Sequence, residues 1–209
     1  MKAVKYIILI LVITVIAYNS VYFKKLDEVK ALKAATEFNA TRYAQTFWEN
    51  KLIPDLDKAI DILQLTTMLS SDTAKAFDTY SHALGIGNLR YFLVKGRGLI
   101  TSINENDVSV SADSGKQNIT IATEYIFGNA VRDATGLINI NEFNNTMDFN
   151  NVSAEINKII REKVLPSFKS NAKKGSRIKF VGAIELNKEH LDLSGIEVIP
   201  VKVSVITDQ

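Results

Sequence analysis

The chain of 209 residues contains no cysteine and only three prolines, two histidines and one tryptophan. Without cysteine there is no disulfide, thiolate metal site, iron–sulfur cluster or cysteine nucleophile. His82 and His190 stand alone, because neither has a second histidine at the spacing of a helical metal-binding pair and neither is followed by a carboxylate four residues later. We therefore expect neither a metal nor any other cofactor.

An excess of charge of one sign is also missing. The 25 basic and 23 acidic residues leave a formal net charge of +2. A nucleic-acid-binding protein usually has a marked basic excess or a basic stripe, whereas Lys and Arg are dispersed here, so we expect no nucleic-acid partner. The hydrophobic share of 46% is that of an ordinary globular protein.

The N-terminal segment resembles a secretory targeting signal. Lys2 and Lys5 precede an uncharged apolar run over residues 6–18, which continues towards Phe23. The run is about 18 residues long, near the lower limit for crossing a bilayer. We expect residues 1–23 to be an uncleaved signal anchor in the inner (cytoplasmic) membrane, with the body periplasmic or extracellular. Cleavage after Ala17 is the alternative.

Residues 24–86 have the composition of a helical region. Between Leu26 and Leu84 there is no glycine and a single proline. The spacing predicts a first helix that ends before Pro54 and a second that starts there, with Ile60 on its buried side. Ser71 or Asp72 is expected to cap a third helix, which ends at Gly85.

From Gly87 the hydrophobic period changes to two. Alternation and turn residues predict strands over residues 89–100, 108–111, 119–127, 178–186 and 196–206. Val152 to Val164 has helical spacing, with Asn150 or Asn151 as its cap and Pro166 at its exit.

Three strands, a helix and two strands are the order of the OB barrel. The predicted fold class is therefore α+β, an N-terminal anchor and helical layer followed by an OB-like five-stranded β-barrel over residues 87–209. An open mixed sheet is the structural alternative.

A long loop, residues 127–151, is inserted in this domain. It carries the densest set of polar side chains in the chain: Asn129, Arg132, Asp133, Asp148, Asn150 and Asn151. These groups could bind a ligand, because Arg binds carboxylates or sugar hydroxyls while Asp and Asn supply further acceptors and donors. They could equally fasten the loop as caps, turns and an Arg to Asp pair. An open pocket would favour the first hypothesis, and mutual burial the second.

Several runs carry a resemblance to a known family. They are Gly85–Asn88, Tyr91–Gly96, Phe127–Ala134, Asp148–Asn151 and Phe180–Gly182. With them the chain resembles a bacterial family of predicted periplasmic lipoproteins of unknown function (domain of unknown function 2291). The resemblance implies a role at the cell surface near sugar-type ABC transporters. A lipoprotein carries its lipid on cysteine, which this chain lacks, so the apolar segment would have to supply the anchor.

We therefore expect a membrane-anchored, non-catalytic accessory or binding protein, with an ABC transporter component or a small solute as its partner. Two alternatives remain, a purely structural scaffold and a glycan hydrolase. The hydrolase would pair Glu124 with Asp133 or Asp148 across a cleft. No nucleophile, base and oxyanion arrangement of recognisable spacing supports catalysis.

Overall fold

The computed structural model describes residues 2–20, 38–112, 115 and 117–206, and the chain divides into two compact units, Met1–Phe38 and Asn39–Gln209. Helix α1 (Lys2–Ser20) belongs to the first unit. Among the described residues, no helix combines the length and the apolar character needed to cross a membrane. The predicted helical stretch from Leu26 to Glu37 lies outside the described residues.

The second unit begins with a helical run. Helix α2 (Ala40–Phe47) starts where the Asn39 side chain accepts the N–H of Arg42. A π-helical turn, Trp48–Leu52, joins it to the short α3 (Ile53–Asp55), and a 3-10 turn, Leu56–Lys58, follows.

A helix does begin beside Pro54, but it has only the three residues of α3, so the prediction that it continues past Ile60 was wrong. Ile60 lies in a short strand, β1 (Ile60–Asp61), and helix α4 (Ile62–Ser71) follows. Asp61 sets this start, because its side chain accepts the N–H of Leu63 and Gln64.

Asp72 caps helix α5 (Thr73–Tyr80), one of the two caps expected there. The helix ends at Tyr80 rather than at Gly85. The residues after it form strand β2 (Ser81–His82), which pairs with the next strand, β3 (Leu89–Ile103).

The five expected long strands are present. They are β3 (Leu89–Ile103), β4 (Asp107–Ala112), β5 (Gln117–Ala122), β6 (Arg177–Asn187) and β7 (Ile196–Val205). The expected extension of β5 to Phe127 is wrong. The N–H groups of Thr123 and Glu124 both donate to the carbonyl of Asn106, which turns the chain out of the sheet.

The long strands pair in a circuit. β3 is antiparallel to β4 and to β6, β4 to β5, and β6 to β7, while β5 and β7 are parallel. The short strands β1 and β2 also pair with β3. Within the described residues the sheet therefore has seven strands and is not the plain five-stranded barrel that the sequence predicts.

The main core lies within this sheet and includes residues of α4, α5 and the last helix. Phe77 of α5 meets Phe92 of β3 edge to face at 5.2 Å. Gly96 allows the closest approach: a Cβ there would lie 2.7 Å from Cζ of Phe180 and 3.0 Å from Cγ2 of Ile62. Glycine at this position therefore lets α4 and Phe180 pack against β3.

Helices fill the segment between β5 and β6. They are α6 (Ala130–Ala134), a 3-10 turn (Ile140–Glu142), α7 (Thr146–Ile159), a π-helical turn (Ile160–Val164) and α8 (Leu165–Asn171). Asn145 caps α7, so the expected cap at Asn150 or Asn151 is wrong. Pro166 does not mark the exit either, because it lies in the first turn of α8, where a missing N–H is tolerated.

Candidate functional site

Arg132 and Asp133, the two charged residues of α6, are both buried, each with 3% of its surface exposed. Nε of Arg132 donates to Oδ1 of Asp133 at 2.6 Å, and Nη2 donates to Oδ2 at 3.1 Å. This two-point contact is the strong geometry for a guanidinium and a carboxylate. It leaves neither group facing solvent.

The remaining contacts of Arg132 come from α7. Its Nη1 donates to Oγ of Ser153 at 2.9 Å and to the carbonyl of Phe149 at 3.4 Å. Its guanidinium carbon lies 3.5 Å from the centroid of the Phe149 ring. Ser153 in turn donates to Oδ1 of Asn129 at 3.3 Å. Asn129, Arg132 and Asp133 thus join α6 to α7 in a closed hydrogen-bonded cluster.

The other three predicted site residues lie elsewhere. Asp148 is in the first turn of α7, where its N–H donates to Oδ1 of Asn145 and its Oδ2 accepts Nδ2 of Asn145, both at 2.8 Å. Asn150 and Asn151 are exposed on α7. The six residues do not surround an open pocket, and the mutual burial of Arg132 and Asp133 is the geometry expected of a fastened loop.

Each carboxylate considered for glycan hydrolysis is also bound by a neighbouring side chain. Glu124 is ion-paired with Lys169 of α8. Asp133 is held by Arg132, and Asp148 by the amide of Asn145. None of the three is left as a free acid or base beside another.

A groove of about 570 Å³ lies on a different part of the sheet, beside the start of α4. Three strands and the segment from the 3-10 turn to α4 form its walls. We call it the basic groove, because its lining includes four cationic side chains: Lys95, Arg97, Lys179 and Lys202. Asp57 and Asp61 also line it, so the lining has a positive excess of two charges.

Strand register brings these four cations together. Arg97 of β3 lies directly opposite Lys179 of β6. Val181 of β6 lies between Lys95 of β3 and Lys202 of β7, because it pairs with both. Residues two apart on a strand share a face, so Lys95 and Arg97 project to the same side, as do Lys179 and Val181.

The cations of the basic groove are poorly compensated. Within the described parts of the chain, none of the ion pairs involves Arg97, Lys179 or Lys202. Lys95 donates from Nζ to the backbone carbonyl of Asp57 at 2.8 Å. Asp61 caps α4 and also places its carboxylate next to Lys95, its cross-strand partner. A cleft with an excess of positive charge raises the local concentration of anions.

Burial changes the acidity of three groups outside the groove. It raises the pKa of Tyr91 to about 12, with further contributions from the nearby carboxylates of Glu185 and Asp133. The pKa of Tyr43 is also raised, by burial and by its 2.6 Å hydrogen bond to Glu142. Burial lowers the pKa of His82.

In the part of the chain that the structure describes, no three acidic or histidine side chains form a metal site.

The chain matches the family model described as predicted periplasmic lipoprotein (DUF2291) over residues 11–204. It belongs to this family. Membership suggests a membrane-anchored, extracytoplasmic protein, as the resemblance in sequence implied. No curated protein matches the chain significantly.

This member of the periplasmic lipoprotein family also has the fold of a solved structure. The chain is similar to an OB-fold protein from Thermotoga maritima, with a TM-score of 0.73 and 27% sequence identity. The match covers 82% of this chain and 100% of that chain. The mixed α+β architecture thus has an OB-fold relative, in agreement with the predicted fold class.

Sequence reasoning missed the basic groove. Its four cations come from three strands that are up to about a hundred residues apart in the chain, so no local motif joins them. One signal for a cationic face was available, since Lys95 and Arg97 occupy alternate positions of a predicted strand and therefore share a face. Lysine at such outward positions is usually only a solvated face, and pairing alone reveals the cluster.

Proposed function

We propose that this protein is a non-catalytic, membrane-anchored, extracytoplasmic binding protein and that it binds an anionic solute in the basic groove. The observation that carries the proposal is the convergence of four cationic side chains on one groove of about 570 Å³. That volume lies within the range of small-molecule sites. The cations sit on paired strands, which hold a site more firmly than loops do.

Two finer parts of the proposal rest on the sequence. The apolar run after Lys5 supports an N-terminal anchor in the inner membrane, with residues 1–23 as the anchoring segment. The resemblance to the family supports an accessory role beside a sugar-type ABC transporter. A bound anion would then be a solute that this system handles or senses.

The anchor is testable by extraction of membranes at alkaline pH. We expect the full-length protein to stay with the membrane fraction. A variant that lacks residues 2–23 is expected in the soluble fraction. Release of the full-length protein would contradict the anchor and leave the groove proposal intact.

Thermal unfolding of the full-length protein in inorganic phosphate tests the groove. A ligand at about a hundred times its dissociation constant adds about 2.7 kcal/mol to the free energy of unfolding. For a domain of this size that corresponds to a rise of about 5–10 °C in Tm. Sodium chloride at matched ionic strength and a neutral sugar serve as controls, and neither should produce the rise.

Two variants show whether the rise in Tm comes from binding in the basic groove. Arg97→Gln removes one cation from the groove and is expected to abolish most of the rise. Lys163→Gln removes one cation from the exposed π-helical turn after α7 and should keep it. A rise of equal size in sodium chloride, or one that persists in Arg97→Gln, would contradict anion binding in the basic groove.

A further inference from the structure

We infer that the ligand of the basic groove is a dianion whose two charged groups lie about 7 Å apart, such as an extended dicarboxylate. This inference rests on the proposed function and specifies the chemical class of the solute. It follows from the arrangement of the cations in two rows across the three strands.

The first row is Arg97 with Lys179, which are direct cross-strand partners. Such partners have Cα atoms about 4.5–5.5 Å apart. One guanidinium and one ammonium at this separation can both bind a single carboxylate or phosphate group. This row therefore forms a subsite for one anionic group.

The second row is Lys95 with Lys202, which flank Val181 from its two neighbouring strands. Val181 follows Lys179 by two residues on β6, a step of about 7 Å along a strand. The second row is thus displaced by about that distance from the first. Nζ of Lys95 donates to the carbonyl of Asp57, so Lys202 is the cation that this row offers to a second anionic group.

Val181 gives the second row an apolar floor between its two lysines. The end of a chain of methylene groups could lie against this side chain, which is partly buried. Asp57 and Asp61 lie beside Lys95, because Asp61 of β1 is its cross-strand partner and the carbonyl of Asp57 accepts its ammonium. They would repel a third anionic group and could accept hydrogen bonds from hydroxyls on the bridging chain.

Calorimetric titration of the full-length protein with dicarboxylates of different length tests the spacing. Malonate and adipate carry the same charge, but only adipate can extend far enough to occupy both rows. We expect adipate to bind at least about tenfold more tightly than malonate, since a charge-assisted contact is worth about 1.5–3 kcal/mol and tenfold corresponds to about 1.4 kcal/mol.

Lys202 is the residue whose loss should remove the length preference. In Lys202→Gln, adipate and malonate are expected to bind with similar affinity, whereas Lys202→Arg should keep the preference. Lys163→Gln is the matched control for the loss of one positive charge and should keep it as well. Lys202 is exposed, so we expect all these variants to fold, which their Tm values check.

Each outcome is decisive. Preference for adipate that disappears in Lys202→Gln supports the dianion. Equal binding of malonate, adipate and inorganic phosphate, lost in Arg97→Gln, overturns the dianion while the anionic solute of the proposed function stands. Binding of none of these probes overturns both.

Discussion

Arg132 and Asp133 are neighbours in the chain and yet form a buried, two-point ion pair, with Nε to Oδ1 at 2.6 Å and Nη2 to Oδ2 at 3.1 Å. The pair is closed off by Ser153 and by the ring of Phe149. A solute could reach this guanidinium only by displacing its own carboxylate. The polar residues of α6 and its N-cap therefore fasten α6 to α7.

Removing Arg132 should destabilise the protein severely. Arg132→Ala leaves the Asp133 carboxylate buried without its cation, and breaking a buried pair in this way costs about 3–5 kcal/mol. Urea unfolding of the full-length protein measures the change. The double variant Arg132→Met with Asp133→Asn should recover part of the loss, because it removes both charges.

Arg97→Gln is the control for this experiment. It also removes an arginine charge, but at an exposed position without an ion pair among the described residues, so a change within about 0.5 kcal/mol is expected. A comparable loss in both variants would contradict the structural role assigned to Arg132.

Asn145 should contribute more to stability than Asn150, although the sequence predicts Asn150 or Asn151 as the cap of α7. Asn145→Ala removes the side chain that accepts the N–H of Asp148, which should cost about 1 kcal/mol. Asn150→Ala changes an exposed residue inside α7 and should be neutral or slightly stabilising, since alanine is the better helix former. Chemical unfolding of both variants tests the observed start of the helix, and the reverse order of the two losses would place it nearer Asn150.

Gly96→Ala should destabilise the sheet. The added Cβ would lie 2.7 Å from Cζ of Phe180 and 3.0 Å from Cγ2 of Ile62, so one of these buried groups must move. Overpacking of this kind costs about 1–3 kcal/mol. Gly85→Ala is the control, because nothing lies within 4 Å of the place that an alanine methyl group would take there, and its backbone does not require glycine. Equal stability of the two variants would show that α4 packs less closely on β3 than described.

Tyr91 should make stability fall at alkaline pH. Its pKa is raised to about 12 in the folded protein, whereas an unfolded tyrosine ionises near pH 10. The folded state thus holds the proton more tightly, and this contribution is complete below about pH 10 and is lost as the pH rises from 10 towards 12. Tyr91→Phe should reduce the fall in unfolding free energy between about pH 9 and pH 11 by about 1 kcal/mol.

Tyr125→Phe is the control for this pH dependence. The ring of Tyr125 is 65% exposed, next to that of Phe127, so removing its hydroxyl should leave the alkaline fall unchanged. The fall would have another origin if Tyr91→Phe showed the same pH profile as the parent protein.

Much of the fold could be predicted because the hydrophobic period is local information. The alternation around Tyr91 and Val94 predicts β3, and that around Phe180 predicts β6. The boundaries were less certain where several residues offer the same chemistry. Asn144, Asn145, Asn150 and Asn151 can all cap a helix, and only the observed hydrogen bond distinguishes Asn145.

The helix ends that were predicted from Pro54, Pro166 and Gly85 were wrong. Pro54 and Pro166 each sit in the first turn of a short helix that follows a π-helical turn, so neither ends its helical run. The third helix ends before Gly85 because Ser81 and His82 pair with β3, a long-range contact that local spacing does not contain.

The candidate site depends still more on tertiary structure. Polar density singled out residues 127–151, but density does not distinguish a buried ion pair from an open pocket. The basic groove depends on the pairing of Arg97 with Lys179 and of Val181 with Lys202. Its cations are ordinary surface residues until the strands are aligned.

Phosphate titration of the full-length protein, followed by backbone amide NMR, shows where an anion binds. We expect concentration-dependent shifts around Lys95–Arg97, Lys179 and Lys202, with the amides of Ala130–Asp133 unchanged. These shifts should weaken as salt rises, because exposed charges are screened over about 8 Å at physiological ionic strength. Shifts centred on Ala130–Asp133, with none in the basic groove, would contradict anion binding in the groove.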